Sequence, residues 1–236
     1  MIAVTRLGAG LSLATALAGL VAVATSVTTP PRSGAFCTAG CVTYPYTDVA
    51  AFVPRDYWWL YPQSFFVLLA LVLMLCLHAT VPLAVRTFSS IAVTLAGMAA
   101  TTLLADYIIQ LTVLQPSLHR GETTGLSLFS QYNPHGVFIA LENLGYLLLG
   151  LALAAVAAAF NAPILLERGL RWVFLAGGVL TTAALPILGV LYGSDLGYRY
   201  EVVAIMLTWI TLITSGILLA RWFGRAALGQ GISAVT

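Results

Sequence analysis

The apolar residues of this chain gather into six long runs, about 7–28, 62–84, 88–115, 135–160, 170–192 and 201–222. Each is long enough to cross ~30 Å of hydrocarbon as a helix, which takes about 20 residues. The strands of a membrane barrel would alternate in polarity with period two, and that alternation is absent. Breakers stand where the runs should stop: Pro30-Pro31 after the first, Pro82 at the end of the second, Pro116 after the third and Asn161-Ala162-Pro163 after the fourth. Pro186 lies inside the fifth run and is expected to kink it. The pattern predicts an all-α fold, a polytopic integral membrane bundle of six transmembrane helices. It forms a single transmembrane domain over 1–236, with residues 30–60 as an extracytoplasmic loop or cap within it.

Composition agrees. Only 8% of the 236 residues are charged and 60% are hydrophobic, against about 25% charged in a soluble domain. The chain has too little polar surface for a soluble fold and too little charge for disorder. All ten basic residues are arginine, and they form no run or stripe, so nucleic-acid binding has no electrostatic footprint. The membrane bilayer is the partner that composition implies; oligomeric state is left open.

Arginine positions set the expected orientation. With the N-terminus inside, the inner segments hold Arg6, Arg86, Arg168, Arg171, Arg221 and Arg225, and the outer loops hold Arg32, Arg55, Arg120 and Arg199. The inner excess predicts cytoplasmic N and C termini. Cys37 and Cys41 then fall in an outer loop, where a disulfide is chemically permitted and would staple a segment with no core of its own. Free thiols or a metal pair are the alternatives. The first run also has a signal-peptide reading, with Arg6 ahead of an apolar stretch. That stretch, about 21 residues, exceeds the usual 7–15, which favours a retained helix. Cleavage would leave five spans and the same outer face.

The unusual polar residues concentrate on the outer side. Asp106 and Gln110 share a face of the third span, and Asp106 lies nine residues before Gln115, roughly 14 Å at helical rise. In the fourth span Glu142 follows His135 by seven residues, two turns and about 10 Å deeper on the same side. Asn133 reads as a cap and Pro134 as first-turn residue. Asn143 and Tyr146 follow Glu142. The sixth span adds Glu201, Thr208, Trp209, Thr211 and Ser215. Arg199 or Arg120 is the expected partner for one of the acids. Carboxyls are costly in hydrocarbon and need a partner or water there.

These residues outline a pocket in the outer half of the membrane. Asp106, Glu142 and His135 are the candidate catalytic acid and bases, because a desolvated carboxyl can donate a proton that a second group accepts. Gln110, Asn143, Tyr146, Glu201 and Trp209 are candidate substrate contacts, Trp209 offering an aromatic face to a developing cation. The chemistry suits isomerisation or cyclisation of a lipid or isoprenoid, with a hydrophobic small molecule as ligand and no cofactor. Two alternatives use the same residues: a relay in a small-solute or proton transporter, or polar glue in a non-catalytic membrane subunit or sensor.

Other sites are weaker. His119, Glu122 and His135 have metal-ligand chemistry but no ligand-spacing framework, so no metal is assigned. No GxSxG elbow and no phosphate-binding glycine loop occurs. Gly177-Gly178 lies inside a span and reads as a close helix contact. Cys76 and His78 read as apolar filler and interfacial residue.

The strings YPYTD (44–48), PRDYWW (54–59), DYIIQL (106–111), QPSLHRGET (115–123), QYNPHG (131–136) and ALENLGY (140–146) resemble an uncharacterised family of small prokaryotic multispan membrane proteins. The resemblance runs from the first outer loop to the fourth span. It implies the architecture and lends no catalytic roles. The paired-carboxylate chemistry is similar in kind to that of membrane sterol isomerases and terpene cyclases, by analogy of chemistry alone.

Overall fold

The structure is a computed structural model and describes residues 2–161 and 163–233. Ala162, which belongs to the sequence break after the fourth apolar run, lies outside the described residues, as do Met1 and residues 234–236. Among the described residues seven α-helices follow one another: α1 (Ile2–Ser26), α2 (Leu60–Thr80), α3 (Arg86–Ile109), α4 (Gln115–Arg120), α5 (Val137–Val156), α6 (Leu165–Tyr192) and α7 (Arg199–Ser233). Among the described residues there is no strand. Six helical segments are long and apolar enough to cross a membrane: Ala3–Ser26, Arg55–Thr80, Leu83–Arg120, Val137–Ala159, Leu165–Asp195 and Arg199–Ala226.

The helices pack in chain order as a closed ring, α1 on α2, α2 on α3, α3 on α5, α5 on α6, α6 on α7 and α7 back on α1, while α5 also reaches α7 across the middle. The exterior is as apolar as the interior. Leu17, Phe65, Met98, Val190 and Ile210 are exposed, whereas Gln63, Asp106, Gln110 and Glu142 are buried. A surface of this kind is stable only in an apolar solvent, so the chain is a multi-pass membrane protein.

Small residues let the helices approach. A Cβ at Gly19 would sit 2.7 Å from Ile213 of α7, and one at Gly216 would sit 2.7 Å from the Ser12 carbonyl of α1. A Cβ at Gly178 would meet the Ala154 nitrogen of α5 at 2.3 Å and one at Gly177 the Thr211 hydroxyl of α7 at 2.0 Å, so the Gly177-Gly178 pair makes close helix contacts as its sequence suggested, one on each side of α6. Early in α1, Gly8 faces the Phe223 ring of α7.

One helix boundary differs from the sequence reading. Pro116 does not stop the third span. A π turn over Gln110–Leu114 carries the chain into α4, with Pro116 in that helix's first turn, and the helix ends only at Gly121 with φ 71°. A π turn re-phases the hydrogen bonds locally, and the first turn needs no donor from the proline nitrogen. Pro186 lies inside α6, as expected, and the helix runs from Leu165 to Tyr192.

The segment between α1 and α2 is a folded cap. Cys37 and Cys41 form a disulfide, and 3-10 turns occupy Gly34–Phe36, Ala50–Phe52 and Arg55–Tyr57. Val49 and Tyr57 are fully buried. The cap is tied to the other loops at its end of the bundle. Ser33 Oγ donates to the Tyr132 carbonyl at 2.5 Å, and Ser130 Oγ donates to the Tyr46 carbonyl at 2.8 Å.

Candidate functional site

A polar cluster lies inside the ring on the cap side. Gln110 Nε2 donates to Asp106 Oδ2 at 3.1 Å, both on the stretch where α3 passes into the π turn. The Asp106 carboxyl meets that of Glu142 on α5, and Glu142 in turn meets Glu201 on α7. A carboxylate has no hydrogen to give, so each contact is a hydrogen bond only with a proton between the oxygens. Without such protons Asp106 Oδ1, Glu142 Oε2 and Glu201 Oε2 are buried with no partner. Among the described residues none of these acids forms an ion pair.

Below the acids the polarity ends. Gln63 Nε2 on α2 donates to the Tyr146 hydroxyl at 2.9 Å, and the Tyr107 hydroxyl lies 3.3 Å from that of Tyr146. Beneath them Phe66, Met74, Ala96, Ala99, Leu103 and Leu149 surround a void of about 10 Å³, at or below the room one water needs.

Above the acids is a cavity of about 620 Å³. It lies between α1 and α7 on the cap side of their contact at Gly19 and Ile213. Val23, Ser26 and Val27 of α1 and Val202, Ile205, Met206 and Ile210 of α7 form its sides, and the cap stretch Pro30–Ser33 with Phe36 covers it. Trp59, Tyr132, Tyr198, Glu201 and Trp209 line its inner wall. Val27, Met206 and Ile210, which line it, are exposed, so the cavity is open along its α1–α7 side.

Polar contacts at the cap rim hold that wall. Arg32 makes a bidentate ion pair with Asp56 through Nε and Nη2, and the Tyr132 hydroxyl donates to Asp56 Oδ2 at 3.0 Å. The Arg32 guanidinium lies 3.5 Å from the Phe52 ring centre. Tyr198 hydroxyl donates to the Gln131 carbonyl at 3.0 Å and lies 2.8 Å from Ser33 Oγ. Burial pushes the Tyr132 and Tyr198 hydroxyls well above the ordinary tyrosine range. The Asp56 hydrogen bond raises the Arg32 guanidinium.

The structure therefore brings together Asp106, Gln110, Glu142, Tyr146, Glu201 and Trp209, but not His135. The helix expected to begin at His135 begins at Val137, with extended Gly136 as its N-cap. Asn133 caps a turn instead, its Oδ1 accepting from the His135 N–H at 3.1 Å. The side chain of His135 is exposed, and a seven-residue helical register cannot place it above Glu142. Asn143 lines neither cavity, and its buried Oδ1 has no partner. Arg199 does not serve the acids: it donates to the Asp195 carbonyl and lies 4.3 Å from the Tyr192 ring centre. Arg120, His119 and Glu122 are exposed. Thr208 and Thr211 bond carbonyls of their own helix at 2.7 and 2.6 Å. Among the described residues, no three His, Cys, Asp or Glu side chains are grouped to hold a metal ion.

Sequence reasoning missed Gln63, Tyr107, Trp59, Tyr198 and the Arg32–Asp56 pair. Gln63 carried a usable signal, a lone amide in an apolar run like Gln110. The ion pair joins residues 24 apart through an irregular cap, and no local pattern announces it. Comparison with protein-family models, curated proteins and solved structures finds no match for the chain.

Proposed function

We propose that the protein sits in the cell membrane with both termini cytoplasmic and the cap extracytoplasmic. There it performs acid–base chemistry of the isomerase or cyclase type on a lipid or isoprenoid substrate. The arginine distribution supports the orientation, and the Cys37–Cys41 disulfide suits a cap facing an oxidising compartment. One observation carries the chemistry: a line of carboxyls, Asp106, Glu142 and Glu201, ends on a cavity of about 620 Å³ that opens toward the lipid.

The substrate's apolar body fills the cavity and its double bond faces Glu201. The Glu201 carboxyl gives its proton to one alkene carbon, leaving a cationic centre beside the ring of Trp209. Loss of a proton from a neighbouring carbon to the carboxylate restores Glu201. The double bond has then moved, and the substrate's composition is unchanged. Glu142 and Asp106 stand behind Glu201 and share the proton, and Gln110 holds Asp106 in place. Roles first given to Asp106 and Glu142 as direct acid and base thus pass to Glu201, the member of the line that touches the cavity. The apolar layer below Tyr146 favours a site open on one side over a transport route.

The test is chemical. A host carrying the protein should show a lipid or isoprenoid profile distinct from a host lacking it. Glu201→Gln, Glu142→Gln and Asp106→Asn should erase that difference. Variants that fold and leave the difference intact would refute the acid–base reading. Reconstituted solute or proton flux abolished by Glu142→Gln would favour a transporter instead.

A further inference from the structure

Arg32 and Glu201 both line the cavity between α1 and α7, yet only Arg32 faces a partner of opposite charge. Arg32 is held by Asp56 and lies against Phe52. Among the described residues Glu201 forms no ion pair, its Oε2 is buried without a partner, and it meets another carboxyl, Glu142. Asp56 thus cancels the rim cation, while the inner wall keeps an uncompensated acid backed by two more.

The rest of that wall is aromatic. Phe36, Trp59, Tyr132, Tyr198 and Trp209 line the same space. Trp209 is only 4% exposed, and its Nε1 has no hydrogen-bond partner. Carboxyl and π faces in an apolar chamber repel an anion and attract a cation. A compact, strongly hydrated ion would lose too much hydration there. A cation whose charge is shielded by apolar groups loses little, dissolves in the lipid, and reaches the opening beside Val27 and Met206 without crossing the cap.

We propose that this cavity binds a lipophilic cation, an ammonium or phosphonium wrapped in apolar groups, with Glu201, its proton released to water as the cation enters, as counter-ion and Trp59 and Trp209 as aromatic walls. The proposal goes beyond the acid–base reading and does not depend on it, because a cation can be held without being converted.

Two probes of matched shape and opposite charge test it, tetraphenylphosphonium and tetraphenylborate. The full chain in nanodiscs of uncharged phosphatidylcholine is titrated with each, and empty nanodiscs supply the partition background. Tetraphenylphosphonium should bind one saturable site, while tetraphenylborate follows the background. Glu201→Gln should weaken phosphonium binding about tenfold or more, as should Val202→Trp, which fills the cavity and leaves Glu201 in place. Thermal unfolding without ligand checks that each variant folds, and Val202→Trp serves if Glu201→Gln does not. Equal binding of the two ions, background-level phosphonium uptake, or wild-type affinity in the folded variants would overturn the proposal. Failure here with a variant-sensitive lipid profile in the host would remove the cation site alone. Phosphonium binding with an unchanged host profile would remove the enzyme reading alone.

Discussion

Removing Arg32 while leaving Asp56 separates a folded cap from a loose loop. Asp56 is 0% exposed and receives both guanidinium contacts and the Tyr132 hydroxyl, whereas the Arg32 side chain keeps 19% exposure. In Arg32→Met the stem still covers Phe52, but the carboxylate stays buried with Tyr132 alone. Stranding a buried charge costs about 3–5 kcal/mol. In Asp56→Asn the partly exposed guanidinium turns toward water, and the loss is that of a charge-assisted hydrogen bond, about 1.5–3 kcal/mol. The double variant should recover part of the Arg32→Met loss, because it removes the stranded charge. Hydrogen exchange over residues 30–59 in detergent reads these energies as cap opening. Protection should fall about a hundredfold or more in Arg32→Met and less in Asp56→Asn. The reasoning fails if Asp56→Asn loosens the cap as much as Arg32→Met, or if neither changes exchange.

Gly178→Ala places a methyl 2.3 Å from the Ala154 nitrogen and 2.5 Å from the Gly150 carbonyl oxygen, where backbone cannot yield. We expect a loss of about 1–3 kcal/mol in thermal unfolding, with Gly189→Ala, open on all sides, losing far less. Tyr146→Phe removes the hydroxyl that accepts from Gln63 and should lower stability by about 1–3 kcal/mol; restoration by Gln63→Leu in that background would support the account. Because burial raises Tyr132 and Tyr198, the unfolded cap releases their protons first as pH rises. Cap stability should be full below about pH 10 and fall above it. Exchange measured on either side of that pH should show a smaller fall for Tyr132→Phe and Tyr198→Phe.

Much of the architecture is legible in the sequence because hydrocarbon imposes a simple rule. A stretch of about 20 apolar residues must satisfy its backbone internally, and a helix does that with no help from distant residues. The six spans follow from that rule. The depth argument put Asp106 and Glu142 at one level, where their carboxyls meet, since helical rise fixes how far along the axis a side chain lies whatever it packs against. It failed for His135, where a turn of Pro134-His135 replaces the assumed helical start and rotates the residue outward.

What tertiary structure alone decided is which side chains face one another and where space remains. Glu201 lies 59 positions beyond Glu142 in the chain, and only the packing of α7 across α5 joins them. The cavity is a gap between α1 and α7, on the cap side of their close contact at Gly19. A gap belongs to a pair of helices and a roof, so no single segment encodes it. The ion pair under the cap likewise depends on how an irregular loop closes. Local chain chemistry dictates the helices; long-range packing dictates the site.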